Sequence, residues 1–240
     1  MRPLLCAIGF LTRLWVPAVD LSEQQLARSA GWFAWVGGLV AALLWVVARV
    51  LTPFDARLAA LLVVAVWAFL TGGLHLDGVA DSVDGLSGGR GQRERTLEIM
   101  RDSRIGSHGA LALLLVLLLK WSALERLLGD GDVRWLLAPV LARFVCTLLM
   151  ACFPYARSQG LGSAFAGRVG VRQVLLGGLA LAAGLTWLGL PALIGALAGL
   201  LAGLLVAFRF QRLLGGLTGD VYGAAIEAAE GGCLLALALH

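Results

Sequence analysis

Three aspartates, Asp77, Asp81 and Asp84, stand in a D-x3-D-x2-D pattern within a polar island, residues 70–109, that separates long apolar runs. At about 100° per helical residue, offsets of four and seven fall near 40° and −20°, so the three carboxylates share one helix face. Acids this close repel one another unless a cation stands between them, and an all-oxygen set suits a hard ion such as Mg2+ or Mn2+. The island also holds Glu94, Glu98, Asp102 and five arginines. Gly72, Gly73, Gly78, Gly85, Gly88 and Gly89 permit close backbone approach to a bulky anion, and Arg93, Arg95, Arg101 and Arg104 offer the forked donors that phosphate favours. The chemistry this combination suits is phosphoryl transfer, in which a metal neutralises diphosphate oxygens and the leaving group. His75, two residues before Asp77, either serves as a general base, orients a water, or makes a structural hydrogen bond. His108 is a weaker candidate of the same kind.

A second group, Asp220, Glu227 and Glu230, lies near the C-terminus, and Asp220 and Glu227 repeat the seven-residue spacing between Asp77 and Asp84. Glu227 and Glu230 fall one to two turns into an apolar run, where an unpaired carboxylate is costly, so a metal or a basic partner such as Arg143 is expected. Arg143 itself lies in the middle of an apolar run and needs a counter-ion or a polar cavity. The expected catalytic side chains are therefore Asp77, Asp81, Asp84, His75 and Arg104. Arg101, Arg143 and Arg157 are candidates for binding the anionic group. Asp77, Asp81, Asp84, Asp102, Asp220, Glu227 and Glu230 are candidate metal ligands. The same acids could instead form a solvated helix end or the ion site of a cation-coupled membrane transporter, although a transporter would place its ion near the bilayer centre, between repeats that this sequence does not display.

The elements that must position these residues are membrane helices. The 240 residues are 60% hydrophobic and 14% charged, with a mean hydropathy of +0.88, far from the balance of a soluble domain. The predicted fold is an all-α integral membrane protein, a single polytopic domain over 1–240. About seven transmembrane helices are expected: Gly31–Leu51, Leu58–Leu76, Gly109–Leu128, Trp135–Phe153, Val174–Leu190, Ala192–Phe208 and Gly223–Leu239. Pro191 joins two of them through a tight turn, or marks a re-entrant hairpin. The N-terminal MRPLLCAIGFLTRLWVPAVD imitates a signal peptide, but Arg13 interrupts it and no small-x-small cleavage site follows, so it reads as a short interfacial or re-entrant helix. Thirteen of the nineteen basic residues fall on the N-terminal side of this topology and three on the other, which places loops 77–108, 154–173 and 209–222 in the cytoplasm. Cys6, Cys146, Cys152 and Cys233 lie in apolar runs without a C-x-x-C pair and read as small hydrophobes. Gly195, Gly199 and Gly203 form a small-residue ridge, used either inside the bundle or against a second copy in a homo-oligomer. No basic stripe interleaved with aromatics is present, so the +4 net charge is loop asymmetry and not a nucleic-acid footprint.

Four motifs in order, GGLHLDGVADSVDGLSGG (72–89), EIMRDSRIGSHG (98–109), PYARSQGLG (154–162) and GGLTGDVYGAAIEAAE (215–230), closely resemble those of the cobalamin synthase family, the adenosylcobinamide-GDP ribazoletransferases or cobalamin 5′-phosphate synthases. The likeness covers nearly the whole chain. It implies a multi-pass enzyme of the bacterial inner membrane that transfers adenosylcobinamide phosphate from adenosylcobinamide-GDP to α-ribazole or α-ribazole 5′-phosphate. The implied products are adenosylcobalamin or its 5′-phosphate, and GMP, with Mg2+ as the cofactor. The positions that match the family's motifs are Asp77, Asp81, Asp84, Asp102, Asp220, Glu227 and Glu230. The 5′-oxygen of the ribazole would attack the phosphorus attached to cobinamide, a reaction that needs positioning and charge stabilisation but no covalent enzyme nucleophile.

Overall fold

The computed structural model describes residues 2–17, 22–157 and 160–240, with Leu161 described in its backbone only. Ser158 and Gln159 of the third motif, and residues 18–20 of the N-terminal segment, lie outside the described residues. The described chain is helical throughout: α1 (Arg2–Leu11), α2 (Glu23–Ser29), α3 (Phe33–Leu51), α4 (Ala56–Leu70), α5 (Leu74–Gly88), α6 (Arg93–Ile99), α7 (Ser107–Gly129), α8 (Leu137–Cys152), α9 (Val171–Leu188), α10 (Ala192–Leu214) and α11 (Gly219–Ala238). In a bilayer every backbone polar group must be satisfied within its own segment, which is why apolar runs of this length become helices.

By length and hydropathy, five helical stretches can each cross a membrane: Glu23–Leu51, Arg134–Cys152, Val171–Leu188, Ala192–Leu214 and Gly219–Ala238; the bent pair α4–α5 raises the count to six. The protein is thus a multi-pass membrane protein, with five or six such stretches where seven were expected. The run expected at Leu58–Leu76 is broken at its end. Gly72 and Gly73 take positive φ, 62° and 70°, conformations that favour glycine, and α5 leaves α4 at 87°. Leu74 to Leu76 therefore begin the polar helix α5, which counts toward a span only when joined to α4. The Arg13 backbone N–H donates to the Leu70 carbonyl (2.7 Å), anchoring the segment after α1 to this corner. The run at Gly109–Leu128 is helical as expected and forms most of α7.

At the centre runs α11, the most enclosed of the long helices together with α8. It packs on α5, α7, α8 and α10. The glycine ridge is used within the chain: a Cβ at Gly199 would lie 2.5 Å from the Ala229 carbonyl, and one at Gly203 would lie 2.8 Å from Val145. Without a hydrophobic effect between helices in lipid, such close backbone approach supplies much of their attraction. By contrast, α9 is peripheral and shows Leu175, Leu179 and Trp187 outward, as a lipid-facing helix does. A tight turn through Gly189 and Pro191 links α9 to α10, with the Ala192 N–H donating to the Gly189 carbonyl. Among the described residues the four cysteines form no disulfide.

Three features bring the scattered motifs to one end of the bundle. Helices α5 and α11 cross at glycines: a Cβ at Gly78 would meet the Asp220 carbonyl at 2.5 Å, and one at Gly223 would meet His75 at 3.2 Å. The chain after α8 is stitched to the chain before α11, with Ala156 N–H donating to Leu217 (2.8 Å) and Leu217 N–H to Pro154 (2.9 Å). Arg93 braces both, its Nε donating to the Leu214 carbonyl (2.8 Å) and its Nη2 to the Ala156 carbonyl (3.2 Å). That guanidinium serves the fold by satisfying the end of α10 rather than remaining open for phosphate.

Candidate active site

The aspartate face of α5 joins two chambers. At one end Asp77 walls an inner cavity of about 190 Å³, shared with His75, Tyr155, Arg157, Asp220 and Tyr222. At the other, Asp84 walls an outer groove of about 670 Å³ lined by Arg90, Arg95, Arg104, His108 and the Gly88–Gly89 backbone. Seven residues at 1.5 Å each set these aspartates roughly 10 Å apart along the helix, with Asp81 between them. Residue spacing predicted one face for the three acids; the structure adds that the face runs from an aromatic chamber to a basic one.

Asp220 reaches this face from the first turn of α11, below its cap Thr218, whose hydroxyl accepts from the Val221 N–H (3.3 Å). Arg157 Nη2 pairs with Asp220 (2.8 Å), while its Nε is buried and has no partner among the described residues. Asp81 is the most perturbed acid outside the spans. Burial, with the carboxylates of Asp77 and Asp220 beside it, pushes its carboxyl up to about 7 against the pull of Arg157. A cluster of acids in this state lacks a positive charge, and a divalent ion would reverse the balance. The donor chemistry therefore fits Mg2+, which is usually held by one or two carboxylates plus substrate phosphates. Among the described residues no three His, Cys, Asp or Glu side chains stand in ligating geometry on their own.

The other expected ligands are committed elsewhere. Asp84 accepts from the backbone N–H groups of Gly106 (2.7 Å) and Gly109 (2.8 Å), so it caps the start of α7, where a negative charge is favoured. Asp102 makes a forked pair with Arg104 (Nη2–Oδ2 2.5 Å), which pulls its carboxyl down to about 2; the pair sits on the rim of the outer groove. Glu227 and Glu230 lie deep in the bundle and carry ion pairs instead of a metal. Lys120 Nζ bonds Glu227 (2.6 Å) and also Glu230, and Arg143 Nη1 bonds the other oxygen of Glu230. Two acids face two bases, so the cluster is neutral, and an arriving cation would have to displace ion pairs that low dielectric strengthens. Arg143 is thus a structural partner and walls neither chamber. Arg101 is exposed and walls neither chamber as well.

Sequence reasoning named Arg143 as a partner for these glutamates but missed Lys120, whose Nζ also lies 4.4 Å from the Trp67 ring centroid. The signal was present: a lone lysine in a leucine-rich run demands an acid. The aromatic walls of the inner cavity were also missed, since in sequence they look like any other core residues. Phe10, Phe33 and Phe165 form one ring cluster, with centroids 5.5–5.8 Å apart, and Tyr155 stacks on Tyr222 at 6.5 Å. His75 is 2% exposed, and among the described residues neither of its ring nitrogens has a hydrogen-bond partner. A buried polar group left in that state costs about 1–3 kcal/mol.

Comparison with known proteins shows the family to which the chain belongs. The family model described as cobalamin-5-phosphate synthase matches residues 3–238. Among the relatives, a Pseudomonas aeruginosa protein named adenosylcobinamide-GDP ribazoletransferase is 44% identical, covering 100% of this chain and 98% of its own length. A Klebsiella pneumoniae protein of the same name is 44% identical over 99% of both chains, and one from Stutzerimonas stutzeri is 40% identical. No solved structure matches. The chain belongs to the cobalamin-5-phosphate synthase family.

Proposed function

We propose that this protein transfers adenosylcobinamide phosphate from adenosylcobinamide-GDP to α-ribazole or its 5′-phosphate, releasing GMP. The observation that carries this reading is the α5 aspartate face, which spans two chambers of different character and is joined there by Asp220. The outer groove, with its arginines and glycine backbone, suits the guanosine diphosphate end of the donor. The corrinoid is far larger than either chamber and stays at their open mouth. A ribose hydroxyl of the acceptor attacks the phosphorus attached to cobinamide, the P–O–P bond breaks, and GMP leaves with the bridging oxygen. The attacking atom is not the 5′-oxygen, which carries the phosphate in the 5′-phosphate acceptor and keeps it in the product. Asp77 and Asp81 would hold Mg2+, which when bound neutralises diphosphate oxygens. Arg157 orients Asp220 and presents its Nε to the developing anion, and a carboxylate at the mouth passes the acceptor's proton to solvent. Thirteen basic residues on the side that carries the site support a cytoplasmic site in a bacterial inner membrane.

The test uses the purified protein in detergent. Wild type should release GMP from adenosylcobinamide-GDP only when both ribazole and Mg2+ are present, and a chelator should stop it. Asp81→Asn should abolish release while membrane insertion stays normal. Undiminished release by that variant would remove Asp81 from the mechanism, and absence of ribazole-dependent release by wild type would end the reading altogether.

A further inference from the structure

We infer that the inner cavity is the seat of the acceptor's base, a two-ring nitrogen heteroaromatic, and that His75 reads its unsubstituted ring nitrogen. The inference rests on the transferase reading above and adds where the acceptor lies and which side chain selects it. An apolar cavity of about 150 Å³ takes a single benzene ring; this one, at about 190 Å³, has room beyond that and opens toward the aspartates. Its walls are the two groups of stacked or tilted rings already described, suited to hold a flat aromatic face. Besides the hydroxyls of Tyr155 and Tyr222 and the Cys146 thiol, its polar border is His75, Asp77, Arg157 and Asp220. Asp77, Arg157 and Asp220 mark the side where a ribose hydroxyl would meet the phosphate.

His75 is the unexplained member of that border. A neutral imidazole carries one N–H donor and one acceptor, and here neither has a partner among the described residues, although the side chain is enclosed. An unpaired donor on a side chain that walls an aromatic chamber calls for a ligand that brings an acceptor into an apolar setting. The free ring nitrogen of a benzimidazole riboside does so; a hydrocarbon or an indole of the same shape does not. Because the donor half sits in the outer groove, the loss of His75 should be felt by the acceptor alone. His75 is therefore assigned to selecting and positioning the acceptor, separate from the carboxylates that surround the reacting phosphorus.

The experiment measures GMP release with α-ribazole and with an indole riboside that replaces the ring nitrogen by C–H. Wild type should favour the benzimidazole by about 10-fold or more in kcat/KM, since a site built to bond a ring atom rejects an analogue that lacks it. His75→Phe should raise the KM for α-ribazole by about 10-fold, leave the KM for adenosylcobinamide-GDP within about 2-fold, and erase the preference over indole. His75→Gln, which keeps a donor, should retain part of the preference and guards against a folding defect in the phenylalanine variant. Equal loss on both acceptors, a preference unchanged in His75→Phe, or a wild type indifferent to the ring nitrogen would each overturn the assignment. Wild type without ribazole-dependent release would instead sink the transferase reading itself.

Discussion

Two groups of carboxylates, one on α5 and the first turn of α11 and one deeper in α11, meet opposite fates in this molecule. Asp77, Asp81 and Asp220 gather at the bundle's end, where Arg157 pairs with Asp220, and Asp81 is pushed up to about 7 by burial and by its acidic neighbours. Glu227 and Glu230, a few turns further along α11, are answered one for one by Lys120 and Arg143. The first group is short of positive charge and depends on something arriving; the second is complete. The difference teaches that an acid's position in an apolar run says little about whether it binds a ligand. What decides is whether neighbouring helices deliver a base.

The sharpest way to break this contrast is to unbalance the complete group. Glu230→Gln leaves Arg143 and Lys120 short of negative charge in the bundle core and should cost about 3–5 kcal/mol of stability, read as a lower melting temperature in detergent. The double variant Arg143→Met with Glu230→Met should recover part of that loss, because it removes both charges together. An unchanged melting temperature in the single variant would mean that the ion pairs do not hold α11 in place. Asp81→Asn should do the reverse: GMP release falls by about 100-fold or more, while the melting temperature holds or rises as carboxylate repulsion is relieved.

Smaller effects sharpen the comparison. Gly78→Val drives a side chain into the Asp220 carbonyl where α5 crosses α11, and overpacking of that kind costs about 1–3 kcal/mol. Activity should fall with it, since the variant separates Asp77 and Asp81 from Asp220. Asp84→Ala removes the cap of α7 and should cost about 0.5–2 kcal/mol, measured by thermal unfolding. Smallest of all, Asp102→Asn on the exposed rim should leave the melting temperature unchanged, since exposed ion pairs contribute little.

Much of this was legible in one dimension. Hydropathy and length announced a helical membrane protein, the D-x3-D-x2-D spacing put three acids on one helix face, and four ordered motifs pointed to the family. Local rules settle such features, because helical periodicity and backbone satisfaction in lipid depend on a residue's neighbours in the chain. The bend after α4 was less legible: Gly72 and Gly73 were visible, but their positive φ values were not, and the expected span ran on to Leu76. Tertiary structure alone decided which carboxylates were free. Lys120 lies 107 residues from Glu227 and 110 from Glu230, and Arg143 lies 87 from Glu230. Asp220 reaches the α5 face only because two glycines, Gly78 and Gly223, let two helices touch. Pairings over such separations follow from how whole helices pack, and packing is set by the shapes of complete surfaces, which no short stretch of sequence encodes.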